Sequence, residues 1–455
     1  MSIQQIAFIA VLGLSLGLAW QRFGRIRRNI RLGKAEAIGG QSAERWRNVL
    51  LVAFGQQKMF SNWIPAVLHL FIYVAFLLTQ VELLEIIVDG LTGSHRFFAP
   101  MLGGFYTFLI SFIEILSLLA LVATFAFLAR RNLLKVPRFQ KPELNGWPRL
   151  DGNLILYGEI LLIAGIFSMN GADAVLQDLG AAGYPATGGF AISSWLGPLL
   201  FGGLETSTLQ LIERSGWWLH LMVVLAFLNY LPLSKHLHIL LAFPNTYFAR
   251  LSPRGKMTDI PAIRREVANM INPEAAQPQE EETAGEELVF GASDVFHLSW
   301  KNLLDAYSCT ECGRCTAACP ANLTGKILSP RKIMMDVRDR AEEVGKNLDS
   351  GDPAFVAADK RANGLRPNPG NYDDGKSLFD YISPEEIHAC TTCNACIEAC
   401  PVLINPLDII LQLRRHEILT TSSGPADWLP LFNSMENSQA AWSVSTDRDA
   451  WRQQS

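Results

Sequence analysis

Two stretches of the chain have the same cysteine pattern, C-x2-C-x2-C-x3-C-P. The first ends at Pro320 and the second at Pro401, and together they contain all eight cysteines of the chain. This spacing is typical of proteins that hold two [4Fe–4S] clusters, in which three thiolates surround one cluster and the fourth reaches the other. We therefore predict two ligand sets: Cys309, Cys312, Cys315 and Cys400 for one cluster, and Cys390, Cys393, Cys396 and Cys319 for the other.

Two other uses of cysteine fit the pattern less well. Structural zinc sites also use C-x2-C pairs, but zinc explains neither the third and fourth cysteines nor the proline that follows each stretch. Disulfides are the second alternative. The spacing is metal-like and the flanking sequence indicates a reducing compartment, so we do not expect disulfides here.

The two halves of the chain differ sharply in polarity. The chain has 455 residues, 49% hydrophobic and 18% charged, with a formal net charge of −4. Residues 1–250 consist of long apolar runs, whereas the remainder is polar and contains every cysteine. This division predicts a membrane domain at 1–250, a flexible acidic linker at 251–294, a ferredoxin domain at 295–420 and a tail at 421–455. The polar part has no basic cluster of the nucleic-acid-binding type, so we expect no nucleic-acid partner.

Five apolar runs are long enough to cross a bilayer, which takes about 20 residues. They lie at 3–20, 63–88, 104–129, 153–169 and 217–242. A cleaved signal peptide is the alternative for the first run, but no Lys or Arg precedes it. Loops 21–60 and 130–150 have nine and six Lys or Arg residues, whereas 89–103 and 171–215 have one each. The positive-inside rule therefore places the amino terminus outside and the cysteine-containing part in the cytoplasm.

Helix signals continue between the two cysteine stretches. Ser329-Pro330 and Ser383-Pro384 have the capping residue and first-turn proline of a helix start. The segment between the stretches is too long and too helical for a small β-type ferredoxin. We expect an all-α fold: a five-helix membrane bundle followed by a helical dicluster ferredoxin domain.

Four histidines lie in or at the ends of the predicted membrane helices: His69, His220, His236 and His238. Ionisable residues at such depth are functional candidates, and neutral imidazole is a common axial ligand of b-type haem. No C-x-x-C-H occurs, which excludes a c-type haem. His69 and His238 are expected near the same cytoplasmic surface. We therefore predict that they hold one haem b, with His236 as the alternative ligand.

A second haem on the outer side would use His220, five helical turns from His238. Its partner stays open, because Thr79 occupies the matching depth on the second helix and His95 lies in a loop. The alternative is that His220 is hydrogen-bonded or faces a quinone. Four carboxyl groups also lie in apolar runs: Glu82, Glu85, Glu114 and Glu159. They either take part in proton or quinone chemistry or are hydrogen-bonded to a neighbouring helix.

A few segments resemble known families. WKNLLDAYSCTECGRCTAACPANLTGKILSPRK, HACTTCNACIEACP and LRRHEIL are similar to heterodisulfide-reductase-related iron–sulfur proteins. WWLHLMVVLAFLNYLPLSKHLH makes the membrane half resemble the gamma subunit of respiratory nitrate reductase, a five-helix di-haem cytochrome b. The resemblance implies a helical ferredoxin domain, haem b and quinone chemistry.

The sequence departs from these families in two places. Thr79 lies where the gamma subunit has a second histidine, and no cysteine follows Cys400. The second departure indicates that the catalytic cluster of longer relatives is missing from this chain.

These features predict a membrane-bound electron-transfer subunit of a quinone-linked respiratory oxidoreductase in the bacterial inner membrane. Electrons would pass between a soluble cytoplasmic partner, two clusters, haem b and membrane quinone. The resemblance suggests a CCG-type iron–sulfur protein as partner, fed by an electron-transfer flavoprotein. Alternatives are a quinol-driven disulfide-type reductase subunit and a membrane redox sensor or anchor. Aromatic residues at 425–451 fit either a docking surface or packing onto the ferredoxin domain.

Overall fold

The computed structural model describes residues 2–253, 255–272, 290–361 and 365–441. Within these ranges the regular elements are helical, apart from two isolated β-bridges, which confirms the predicted all-α fold. Five long helices form the first half: α1 Ile3–Ile30, α2 Trp63–Thr92, α3 Gly104–Asn132, α4 Trp147–Asp178 and α5 Thr206–Tyr230. Each is long and apolar enough to cross a membrane, as predicted. Shorter helices lie at Ser42–Asn48, Ala99–Leu102 and Ser193–Phe201.

The fifth predicted run, 217–242, folds as two helices rather than one. After α5 ends at Tyr230, two short 3-10 turns lead to α6, which spans His238–Tyr247. Pro232 lies in the first turn, where its missing N–H and fixed φ prevent α5 from continuing. The break places His236 and His238 beyond the end of the membrane helix.

Helices α4 and α5 cross at glycines. A Cβ added to Gly216 would lie 2.7 Å from the backbone nitrogen of Met169, and one added to Gly165 would lie 3.1 Å from the backbone nitrogen of His220. Small residues let membrane helices approach this closely and gain van der Waals contact, since lipid supplies no hydrophobic driving force between them. The crossing fixes His220 against α4.

The second half contains the helices around the cysteine stretches. The main ones are α7 Trp300–Tyr307, α8 Pro330–Ser350, α9 Pro406–Arg415 and α10 Trp428–Ser438. Shorter ones are Arg314–Ala318, Pro320–Leu323, Pro384–His388 and Ala395–Ala399, and Pro261–Ile271 lies within the predicted linker. Both predicted caps are present, because Ser329 accepts from the N–H of Lys332 and Ser383 from that of Glu386. The acidic run at 273–289 lies outside the described residues.

The hydrophobic core of the second half extends into the membrane half. Ile26 of α1 and Leu237 before α6 belong to the same buried cluster as Leu303 and Ile333. The connection is also made by backbone hydrogen bonds: the N–H of Lys34 donates to the carbonyl of Leu298 over 2.7 Å. The ferredoxin domain therefore packs directly on one end of the membrane helices, the end that includes Ile26 and Leu237.

A buried guanidinium links the segment before α7 to the loop that precedes the second cysteine stretch. Arg340 on α8 has no exposed surface, and it donates to both carboxylate oxygens of Asp294 (3.0 and 2.7 Å) and of Asp374 (2.6 and 2.8 Å). Removing one partner of such a network leaves uncompensated charge in the interior. The loss is typically about 3–5 kcal/mol.

We expect Arg340→Met to destabilise the ferredoxin domain by about 3–5 kcal/mol, because two carboxylates lose their buried cation. Lys346→Met is the matched control, since Lys346 is an exposed cation on the same helix. Urea-dependent proteolysis of the full-length protein in detergent measures the difference. Equal urea midpoints for the two variants would contradict this account of Arg340.

Candidate metal centres

The two cysteine loops fold alike. In each, the middle cysteine of the C-x2-C-x2-C run lies between two residues with positive φ, and a short helix follows. The four residues are Glu311 (53°), Gly313 (71°), Thr392 (55°) and Asn394 (63°). Left-handed residues in such turns point successive backbone N–H groups inward and form concavities that bind anionic clusters. The thiols of each loop therefore converge on one point.

The fourth cysteine of each loop belongs with the other loop. A small cavity is lined by Cys390, Cys393, Cys396 and also Cys319 from the first loop. Cys400, from the second loop, lies close enough to Cys309 and Cys312 for their negative charges to interact. This arrangement brings together each of the two predicted ligand sets.

The surroundings of the sulfur atoms suit thiolates that are bound to iron. Burial raises the pKa of Cys309, Cys396 and Cys400 to about 12, and neighbouring cysteines add to the shift. Bare thiolates at these positions are poorly solvated, so they need iron to balance their charge. Backbone N–H groups already donate to two sulfurs: Thr392 to Cys390 Sγ over 3.4 Å and Ile404 to Cys400 Sγ over 3.3 Å.

No three His, Cys, Asp or Glu side chains among the described residues converge closely enough for a single metal ion. A cubane spreads its four thiolates over four iron atoms and so separates them more widely than one ion does. Four cysteines in each set are the donors that this larger group takes.

One arginine lies near each ligand set. The charge of Arg138 interacts with Cys312. Arg414 interacts with Cys390 and donates to its carbonyl and to that of Ile387, the latter over 2.8 Å. Positive charge stabilises the more negative reduced form of a cluster, so both arginines would raise reduction potentials.

The first cysteine loop faces the membrane domain. Glu311 pairs with Lys235 and, at 2.8 Å, with Arg338, and all three side chains are largely buried. Arg314 donates to the carbonyl of Lys58 over 3.2 Å, just before α2. The second loop faces outward, since Cys393 is the only exposed cysteine of the chain. One ligand set is thus next to the membrane helices and the other next to solvent.

Three of the four candidate histidines come together at the end of the bundle that faces the ferredoxin domain. The rings of His236 and His238 are 5.7 Å apart. Burial, and then the charges of His238 and His69, lower the pKa of His236 to about 3. The charge of His69 also interacts with that of Arg314, beside Cys315. The histidine cluster and the first cysteine loop are therefore adjacent.

His69 and His238 each have the Nδ1 atom held by a neighbouring group. The Nδ1 atom of His69 is 3.1 Å from Oε1 of Gln56, and the Nδ1–H of His238 donates to the carbonyl of Lys235 over 3.0 Å. Neither Nε2 atom has a hydrogen-bond partner among the described residues. A histidine that binds metal usually fixes its second nitrogen in this way. His236 differs, because its buried Nδ1 has no partner there.

Asp151 of α4 holds the segment that contains His236 and His238. Its carboxylate accepts from the hydroxyl of Tyr230, from Ser234 Oγ over 2.6 Å and from the backbone N–H of Lys235 over 3.1 Å. A buried acceptor with this many donors fixes the break after α5. The sequence signal is an aspartate just before the fourth apolar run, outside the predicted bounds of that run.

His220 takes part in a different contact. Its Nδ1–H donates to the carbonyl of Leu162 on α4 over 3.2 Å, next to Gly165. Thr79, at the proposed depth of a partner ligand, bonds within its own helix to the carbonyl of Phe76. His95 pairs with Asp173 over 3.0 Å. The contact of His220 is the hydrogen bond that we gave as the alternative to haem ligation.

A buried polar network at the end of the bundle opposite the ferredoxin domain was missed from the sequence. Arg96 is almost fully buried and donates to Asp173 and Asn170, while Asn170 Nδ2 donates to Glu82 and Glu114. In the sequence Arg96 counts only as a loop charge. The available signal was a single arginine close to several intramembrane carboxyl groups, which need a cation or donors.

Comparison with known proteins supports the cluster site. Residues 308–404 match the family model of the 4Fe-4S dicluster domain. The C-terminal half therefore contains a dicluster domain. A component of the ferredoxin:CoB-CoM heterodisulfide reductase of Methanosarcina mazei is 29% identical over 25% of this chain and 46% of its own length. This bears out the resemblance of the iron–sulfur half, whereas the cytochrome b character of the membrane half stays a prediction.

Two relatives match nearly the whole chain. A probable iron-sulfur-binding oxidoreductase, FadF, of Bacillus subtilis is 29% identical over 93% of this chain and 57% of its own length. An EtfAB:quinone oxidoreductase of Syntrophomonas wolfei is 27% identical over 90% of this chain and 54% of its own length. The chain thus spans just over half the length of these curated relatives. No solved structure matches it. Both relatives are named as oxidoreductases.

We expect Cys319→Ser to damage the cluster held by Cys390, Cys393 and Cys396, because Cys319 lines their cavity. Wild-type protein, purified without oxygen, should contain about eight non-haem irons and as many labile sulfides. In the variant, electron paramagnetic resonance should show one altered signal. Cys393→Ser should alter the same signal, and Cys309→Ser the other one. If Cys319→Ser and Cys309→Ser alter the same signal, the assignment is wrong.

Proposed function

We propose that the protein is a membrane electron-transfer subunit that links a soluble redox protein to membrane quinone. The observation that supports this best is the contact between the first cysteine loop and the histidine cluster. Glu311 and Arg314 of that loop reach Lys235 and Lys58, which flank the segments of His238 and His69. Two sites suited to redox cofactors therefore lie next to each other at the cytoplasmic end of the membrane helices.

His69 and His238 are the proposed axial ligands of a haem b, and His236 is the alternative to His238. When bound, haem and clusters supply one-electron transfer, which side chains alone do not provide. The protein keeps the two imidazoles neutral and fixes their orientation. For His238, which lies beyond the membrane helix, burial lowers the pKa and so favours the ligating form.

The proposed location is the bacterial inner membrane, with the iron–sulfur domain in the cytoplasm. The distribution of Lys and Arg among the loops supports this orientation. The reducing cytoplasm also suits eight unpaired cysteines. The relative described as an EtfAB:quinone oxidoreductase supports quinone as the membrane substrate and an electron-transfer flavoprotein as the soluble partner.

We expect His69→Ala and His238→Ala each to abolish a low-spin b-type haem spectrum, since iron then lacks one axial imidazole. His236→Ala is the matched control, because it removes a neighbouring imidazole and should leave the spectrum intact. Pyridine haemochrome assay gives the haem content per chain. Full haem in His69→Ala would refute the assignment, and two haems per chain would restore His220 as a candidate ligand.

A docking surface for the soluble partner is proposed beside the outward-facing cysteine loop. Trp428 of α10 stacks edge-on against His388, with ring centres 5.0 Å apart, so this end of the helix packs on the ferredoxin domain. The other face of α10 stays open, because Leu429 and Phe432 are 64% and 55% exposed. Trp442 and Trp451 lie outside the described residues. Exposed apolar anchors near an exposed cluster ligand suit a protein interface.

We expect the double variant Leu429→Asn and Phe432→Asn to slow electron transfer from a reduced electron-transfer flavoprotein, because apolar contact area is lost. Leu365→Asn, which alters an exposed leucine outside α10, should have no effect. Deleting residues 425–455 should slow the transfer further. Stopped-flow spectroscopy of haem reduction gives the rates, and dithionite reduction shows whether the cofactors are intact. Unchanged rates in the double variant would eliminate α10 as the docking surface.

A further inference from the structure

A large apolar cavity lies where α1, α6 and α7 meet. It is open on one side, has a volume of about 770 Å³, and is lined on the α1 side by the last turns of the helix and the segment after it. Leucines on either side of His238 and the aromatic rings of Phe248 and Trp300 form the opposite wall. A cavity of this size with mostly apolar walls is typical of small-molecule binding sites.

The cavity has a polar rim. Arg27 and Arg31 line it, both are exposed, and neither has a side-chain hydrogen bond or ion pair among the described residues. Two other arginines of the same helix are engaged elsewhere: Arg25 and Arg28 both pair with Asp349. These two guanidiniums are therefore available as hydrogen-bond donors to a ligand that has acceptor oxygens.

The position of the cavity restricts the kind of ligand. It lies at the end of membrane helix α1, a position that a lipid-soluble molecule would reach from the bilayer. Leu237 and Leu240 of its wall flank His238, the proposed haem ligand, while Trp300 begins α7, which leads into Cys309. The Phe248 and Trp300 rings are 5.1 Å apart and edge-on, which provides an aromatic surface for a planar ring.

We propose that this cavity is the quinone site of the protein. The planar quinone ring would lie against the aromatic wall, its carbonyl oxygens would accept from Arg27 or Arg31, and its isoprenoid tail would extend into the bilayer. Reduction to quinol takes two electrons and two protons. In the proposed function the soluble flavoprotein supplies the electrons, and protons come from the cytoplasmic water at the rim. The inference rests on that function and adds the location of its membrane substrate.

The test uses the full-length protein in nanodiscs and a short-chain 1,4-naphthoquinone as the probe. Leu240→Trp fills the cavity, and Leu233→Trp is the control, since Leu233 is an exposed leucine outside it. We expect the dissociation constant from equilibrium dialysis to rise at least about tenfold in Leu240→Trp only. Haem content should be equal in the two variants.

A second pair of variants does not depend on filling the cavity. Arg27→Gln combined with Arg31→Gln should raise the KM for the naphthoquinone with little change in haem reduction by dithionite. Arg25→Gln is the charge-matched control on the same helix. Wild-type affinity in both Leu240→Trp and the double arginine variant overturns the location. The location is equally overturned if these variants lose only a co-purified phospholipid.

Failure of the proposed function gives a different result. In that case the wild-type protein neither binds the naphthoquinone nor reduces it with electrons from the flavoprotein. If the wild type does both and the cavity variants match it, the function stands and only the location is wrong.

Discussion

The buried carboxylate of Glu311 determines how the two halves of the molecule meet. It lies between Cys309 and Cys312, has positive φ, and pairs with Lys235 of the membrane half and with Arg338 of α8. Burial alone would raise its pKa, but the two cations hold the pKa below its ordinary range. A charged group in this position is stable only while both partners are present. The first cysteine loop is thereby held against the segment that contains His238.

The membrane half meets this loop with an equally constrained segment. Asp151 fixes the turn after α5 through three donors, and the carbonyl of Lys235 fixes the ring of His238. Lys235 therefore contacts both sides: its side chain binds Glu311, its backbone N–H binds Asp151, and its carbonyl accepts from the histidine. One residue thus couples the orientation of an iron–sulfur ligand loop to that of a proposed haem ligand. Such coupling keeps the distance between the two sites constant, which electron transfer requires.

Much of this organisation could be predicted from the sequence, because it depends on local patterns. Cysteine spacing, apolar length and capping residues are each encoded within a few neighbouring positions, and the dicluster domain, the five membrane helices and the caps at Ser329 and Ser383 were found in this way. The end of α5 near Pro232 was not predicted. A proline in an apolar run signals either a kink or the end of a helix, and the contacts of Asp151 decide which of the two forms. Arg96 and the cavity beside α1 were missed. Both depend on residues far apart in sequence that meet only in the folded chain.

The predicted exchange of the fourth cysteine has a consequence for how the clusters would work together. The short helices that precede Cys319 and Cys400 pack against each other. In the proposed assignment each helix holds one ligand, Cys315 or Cys396, of the set to which the cysteine that follows it does not belong. Displacing either helix would therefore disturb both ligand sets at once. Arg138 near the first set and Arg414 near the second would stabilise the reduced form of both clusters, so neither position would become an electrostatic trap on the path between a soluble partner and the membrane.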